Sequence, residues 1–247
     1  PRRVVSLNVC TDQLAMLLAA PGQLVSVSRL ASDPRASAMA DAAQGFHANG
    51  GSAEEVVFLR PDLVLAGRWT TRATVQMLQR LGYRVEIFDP VTSLDGARNN
   101  ILRMGRVLGQ TDKARAVIDE FDQRRAALTV RSGKRPRTVF YLPYGATAGA
   151  DTLSGDLITA AGMDNLAQDG AHLSMEALVL ADPDLILVGR PYAGHARAQD
   201  YARHPALRGT GALREIPDGA DWTCETPHLM DALQALRGLR DDWLAAP

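Results

Sequence analysis

One stretch of this chain occurs twice, and that repetition constrains the fold more than any other feature. Glu54-Glu-Val-Val-Phe-Leu-Arg-Pro-Asp-Leu-Val-Leu-Ala-Gly-Arg68 aligns without gaps on Glu176-Ala-Leu-Val-Leu-Ala-Asp-Pro-Asp-Leu-Ile-Leu-Val-Gly-Arg190, at an offset of 122 residues. Both copies share the opening Glu, the Pro-Asp pair, an apolar run and the closing Gly-Arg. An acidic residue suits the first turn of a helix, Pro-Asp makes a turn, and four apolar residues suit a strand buried on both faces. Each copy therefore reads as one αβ unit of a parallel sheet. A looser pair, Arg3-Val-Val-Ser-Leu7 and Thr138-Val-Phe-Tyr-Leu142, supplies each half with an opening strand. A polar loop and an amphipathic helix follow in each case, Asp12 to Ala20 and Asp151 to Ala161, with Gly22 or Gly162 at the end.

Between the halves, apolar residues fall at Leu94, Ala97, Ile101, Met104 and Leu108, then at Val117, Ile118 and Phe121. Spacings of three and four predict a helix over Leu94 to Leu128. Unbroken, it extends about 50 Å, although Gly109-Gln-Thr-Asp112 can kink or split it, with Thr111 or Asp112 as a new N-cap. Further strands are expected at Leu24 to Ser28, Arg84 to Phe88 and Gly211 to Ile216. The expected fold is α/β: two Rossmann-like lobes, over 1–92 and 132–247, joined by a single long spine helix over 93–131, with the ligand cleft between the lobes. At 247 residues, each lobe is large enough to bury its own core.

Composition removes several functions. The 27 basic and 28 acidic residues are interspersed and nearly balance, so no basic footprint for nucleic acid or anionic lipid exists. No apolar run reaches the length of about 20 residues that a spanning helix needs. The chain enters a strand-like run soon after Pro1, as expected of a cytosolic protein or one whose signal peptide has been removed.

In open α/β sheets, ligands bind beyond the carboxyl ends of the strands. The residues there are Asn8 to Thr11, Arg68-Trp69, Pro143-Tyr144-Gly145, Arg190-Pro-Tyr192 and Asp221-Trp222-Thr-Cys224. Aromatic residues are only 5% of the chain, so Trp69, Tyr144, Tyr192 and Trp222 at strand ends stand out. Together with Arg68 and Arg190 they suit a large planar or amphipathic ligand carrying negative groups. Against this, each aromatic could simply cover the end of a core, and each Arg could pair with a neighbouring Asp.

The ordered combination of Arg3-Val-Val-Ser-Leu-Asn8, the Glu54 to Gly67 segment, the spine and the Glu176 to Val188 segment resembles a known family over nearly the whole chain. It is that of the helical-spine periplasmic binding proteins, which serve ABC importers for vitamin B12, ferric siderophores and haem. Asp221-Trp222 followed by Pro227 looks like the last ligand loop of the vitamin B12-binding member. The resemblance implies a monomeric periplasmic binding protein rather than an enzyme, without resident cofactor or protein-bound metal. Its ligand would be a cobalt- or iron-containing chelate, held by Asn8, Cys10, Arg68, Trp69, Tyr144, Arg190, Tyr192, Trp222 and Cys224. It also implies that Glu54 and Glu176 dock onto Arg pockets of an inner-membrane permease dimer; an acidic first turn alone would explain both without a partner.

Cys10 and Cys224 are the only cysteines and fall in expected strand-end loops, one in each lobe. Three readings stay open: a disulfide across the cleft, two buried thiols, and a thiolate pair for a metal. The competing function is a hydrolase or chelatase-like metalloenzyme, since Asp221, Cys224 and His228 lie close together in sequence. His47, His172, His195 and His204 are scattered and form no HxxxH or HExxH motif.

Overall fold

The computed structural model describes residues 1–167, 172–189, 204–216 and 220–246. Its chain divides into two compact units, each built on a parallel sheet. The first contains Pro1–Val91, Asp95–Gln123 and Gly219–Leu229; the second contains Thr92–Leu94, Arg124–Asp218 and Met230–Pro247.

The first unit's sheet comprises β1 (Val4–Ser6), β2 (Leu24–Ser28), β3 (His47–Asn49), β4 (Leu63–Gly67) and β5 (Val85–Phe88), in the order β3-β2-β1-β4-β5. Alternation along the central strands feeds two cores. Val4, Leu63 and Leu65 pack with Leu14, Leu18, Ile101, Met104 and Ile118 from helices Val9–Leu18, Leu94–Leu108 and Thr111–Leu128. Val5 and Val64 pack on the opposite face with Val56 and Leu78, from helices Ala53–Leu59 and Arg72–Arg80. β4 is buried along its whole length, as a central strand covered on both faces should be.

The second unit repeats the arrangement with β6 (Arg137–Phe140), β7 (Asp164–Asn165), β8 (Leu185–Gly189) and β9 (Leu213–Ile216), in the order β7-β6-β8-β9. Val139, Ile186 and Val188 pack there with Leu178 and Leu207.

Atomic detail extends the repeat beyond its apolar runs. Ser52 caps the helix Ala53–Leu59 by accepting from Glu55 N, and Ser174 caps the helix Met175–Leu180 by accepting from Ala177 N. Both pairs of positions are 122 residues apart. Each helix is followed by a residue in the left-handed region, Arg60 at φ 48° and Asp182 at φ 46°. The opening strands match one residue away from the alignment drawn from sequence. Val4 pairs with Leu63 and Thr138 with Leu185, so Arg3 corresponds to Arg137 rather than to Thr138. Hydrogen bonds agree: Arg3 donates to the carbonyls of Leu59 and Arg60, and Arg137 to those of Ala181 and Asp182.

Two expectations are corrected. The single spine helix over 93–131 is instead a pair of helices, Leu94–Leu108 and Thr111–Leu128, separated at Gly109 by a positive φ of 72°. The chain reverses there rather than kinking. Arg98 and Asp122 form an ion pair at 2.9 Å, whereas a continuous helix would hold them about 36 Å apart. Burial drives the reversal, since Ile101, Met104, Leu108, Ala114 and Ile118 share one core. The division between units then falls within the second helix, between Gln123 and Arg124. The second correction concerns the segment Gly219–Leu229, expected in the C-terminal lobe. It lies in the first unit.

Candidate functional site

A depression of about 360 Å³ opens at the carboxyl edge of the first unit's sheet. Each wall comes from the residues that follow a strand: Asn8 after β1, Ser28 and Arg29 at the end of β2, Asn49 to Gly51 at the end of β3, and Trp69 to Thr71 after β4. Its volume lies at the small end of ligand sites, roughly 300–1,000 Å³, so a large chelate would place only one portion there.

The floor is polar and tightly tied. Asn49 Nδ2 lies 2.9 Å from Ser6 O, 2.8 Å from Ser26 Oγ and 2.9 Å from Val27 O, which binds the carboxyl ends of the first three strands together. Its Oδ1 is buried without a hydrogen-bond partner. Asn8 caps the helix Val9–Leu18 by accepting from Cys10 N. Its side chain also fills the space over Gly67, where an added Cβ would come within 2.7 Å of Asn8 Cγ, so a larger residue at 67 displaces the cap.

Asp12 lies beneath this floor, accepting from the Ser28 hydroxyl at 2.5 Å and from Ser28 N at 3.1 Å. Burial is the largest influence on it and pushes its carboxyl up to about 6, against the lowering effect of its bonds to Ser28 and Ser6. The folded chain therefore binds this proton more tightly than the unfolded chain. The stability Asp12 contributes is complete below its ordinary pKa and is lost as pH rises through about 6. Asp12→Asn, which can accept from Ser28 N and donate to the Ser28 hydroxyl, is expected to remove that decline. Urea midpoints should then separate variant from parent progressively between pH 4 and 7. Parallel curves would contradict the assignment.

The residues expected at the site fare differently. Trp69 is 80% exposed on the wall of the depression. Arg68 is not on the wall: it pairs with Asp89 at 2.8 Å on the surface. The cation on the wall is Arg29, which among the described residues makes a long 3.9 Å contact to Glu55, the kind of exposed pair that adds little stability. In the second unit Tyr144 is 77% exposed in the turn Pro143–Gly145 that follows β6. It adopts φ 61°, a conformation costly for a bulky residue and more common where function demands it. Arg190 and Tyr192 lie outside the described residues. Trp222 sits half-buried in the one-turn helix Ala220–Thr223, within the first unit.

Cys10 and Cys224 form a disulfide, with Cα atoms 5.0 Å apart. It joins two parts of the first unit and does not bridge the two units, contrary to the cross-cleft expectation. The bond excludes both the thiolate pair for a metal and the pair of free thiols. It also leaves Asp221, Cys224 and His228 without a nucleophilic thiol. Next to it Glu225 is buried and accepts from Asn100 Nδ2 at 3.0 Å; burial pushes its carboxyl up, against its own backbone bond and that from Asn100. Among the described residues no group of three or more His, Cys, Asp or Glu could hold a metal ion.

The permease-facing candidates Glu54 and Glu176 are both exposed in the first turns of their helices. Glu176 is held below the usual carboxylate range by its own backbone N–H, the Ser174 hydroxyl and His204.

The architecture now has a counterpart among known proteins, because the periplasmic binding protein family matches residues 4–215. This chain belongs to that family. A cobalamin-binding protein of Halobacterium salinarum is 33% identical over 199 residues, covering 76% of this chain and 54% of that protein. The chain thus spans about half the length of this relative. A vitamin B12-binding protein of Yersinia pestis is 24% identical over 195 residues, 75% of this chain and 69% of that one. Of solved structures, the periplasmic heme-binding protein BhuT in complex with two hemes superposes with a TM-score of 0.76 at 26% identity, over 98% of this chain and 99% of that chain. The periplasmic vitamin B12 binding protein BtuF of Vibrio cholerae has a TM-score of 0.72 at 19% identity, over 99% and 98%, a likeness of fold alone. All four are named as binding proteins, not enzymes.

Proposed function

We propose that this chain is the periplasmic substrate-binding component of an ABC importer, which captures a cobalamin-type or iron-chelate ligand and delivers it to a membrane permease. The observation that carries the reading is the depression at the carboxyl edge of the first sheet. An exposed indole and a lightly held guanidinium lie together on its wall, over a floor tied by Asn49, and no catalytic group lines it among the described residues. That set binds an amphipathic ligand with an anionic or polar rim. The relative named for cobalamin, at 33% identity, favours a corrinoid. The relative solved with two hemes keeps an iron porphyrin as the second ligand, for which exposed Tyr144 offers a phenolic oxygen. The metal arrives inside the ligand in either case and is not a resident cofactor.

Delivery assigns Glu54 and Glu176 to the permease, one carboxylate from each copy of the repeat, meeting basic groups on the two permease subunits. Glu54→Ala and Glu176→Ala should each lower permease-dependent uptake of labelled cyanocobalamin or haem several-fold and leave ligand affinity unchanged. Loss of ligand affinity instead, or uptake equal to the parent's in both variants, contradicts the delivery role.

A further inference from the structure

The duplicated segment carries a surface feature that the ligand site does not use. On the helix Ala53–Leu59, Phe58 is 86% exposed beside exposed Val57; on the helix Met175–Leu180, Leu180 is 84% exposed beside exposed Val179. The two pairs correspond at the 122-residue offset of the repeat. Single exposed apolar residues are ordinary and need no explanation. Recurrence at one register is another matter. Phe58 and Leu180 differ in shape yet agree in polarity and exposure, while Val56 and Leu178, two residues earlier, are buried in both units.

Each pair is also held in place before any partner arrives. Arg3 donates to Leu59 O at 2.8 Å, and Arg137 to Ala181 O at 2.8 Å, fastening the end of each helix to the first strand of its own sheet. Ser52 and Ser174 cap the other ends. An apolar side chain on a fixed helix gives up little freedom on binding, which suits it as an anchor. Glu54 and Phe58 are four residues apart, as are Glu176 and Leu180, so each carboxylate shares a helix face with its apolar neighbour.

We propose that Phe58 and Leu180 are apolar anchors that dock onto the permease dimer together with Glu54 and Glu176, each entering an apolar recess beside a basic side chain on one of two like subunits. Two equal patches on one chain fit a partner with two equal surfaces, which a dimer of identical subunits provides. An anionic group beside an apolar one calls for a cationic group beside an apolar recess. The proposal rests on the importer reading and adds to it the desolvated half of the contact, where most interface affinity usually resides.

The test titrates the full chain onto the permease–ATPase complex of its importer, reconstituted in lipid nanodiscs. The double variant Phe58→Ser with Leu180→Ser is expected to bind at least tenfold more weakly than the parent, with an unchanged melting temperature and unchanged ligand affinity. Parent-like binding of the double variant, where Glu54→Ala and Glu176→Ala bind weakly, overturns the anchor proposal and leaves the importer reading intact. Failure of the parent itself to bind overturns both. Self-association of the parent in sedimentation, abolished in the double variant, overturns the proposal by making a second copy of this chain the occupant.

Discussion

The double variant Cys10→Ser with Cys224→Ser is expected to melt about 10 °C below the parent, as is the parent in reductant. The cross-link joins residues 214 apart, so it removes a very large closed loop from the unfolded ensemble. Chain-entropy reasoning gives about 5 kcal/mol for such a loop as an upper figure, and native disulfides commonly contribute ~2–4 kcal/mol. For a chain of this size, each kcal/mol moves the midpoint by roughly 2–4 °C. The native state gives the bond a specific task. The segment Gly219–Leu229 leaves the second unit, lies in the first and returns, so its contacts there must be held without help from its immediate chain neighbours. Cys224, Glu225 and Thr226 are buried in it, and Glu225 accepts a hydrogen bond from Asn100 Nδ2 at 3.0 Å. Thermal scans with and without reductant check this; coincident midpoints contradict it.

Trp69→Ala is expected to weaken ligand binding by about 30-fold or more, the range of an aromatic hot spot at the centre of an interface. The same change should leave folding stability almost untouched, because the indole is already exposed in the unliganded chain. Arg68→Ala, one residue away, should have little effect on affinity, since its guanidinium is engaged with Asp89 on the surface. The contrast separates a site on the wall of the depression from a general requirement for the loop after β4. Equal losses in both variants would place the ligand elsewhere along that loop.

Much of the architecture is legible in the sequence because buried parallel strands write themselves as apolar runs. The repeated strands β4 and β8 can be found that way. The opening-strand match slipped by one residue because Val-Val and Val-Phe are interchangeable as patterns; the strand pairings, together with the matching roles of Arg3 and Arg137, fix the register. The reversal at Gly109 was not legible. The same Gly-Gln signal allows a kink or a hairpin, and packing between residues such as Ile101 and Ile118 decides between them. Of the site, Trp69 and Asn8 follow from listing the residues after each strand. Arg29 would have followed from applying that rule to Leu24–Ser28. Asn49 could not, since His47–Asn49 is a short strand with only Ala48 apolar. The placement of Gly219–Leu229 in the first unit depends on contacts across about 200 residues, and the two lone cysteines were the one trace of it in the sequence.

The central claim is that this chain holds a metal chelate at the carboxyl edge of its first sheet, against Trp69. Equilibrium titration of intrinsic tryptophan fluorescence with cyanocobalamin, haem and a ferric siderophore tests it most directly, carried out on the parent and on Trp69→Ala. The account predicts saturable quenching of the parent by one of the three, cyanocobalamin first, with the binding curve shifted to about 30-fold higher concentration in the variant. An absence of saturable quenching by all three, or a binding curve that Trp69→Ala leaves in place, would contradict it.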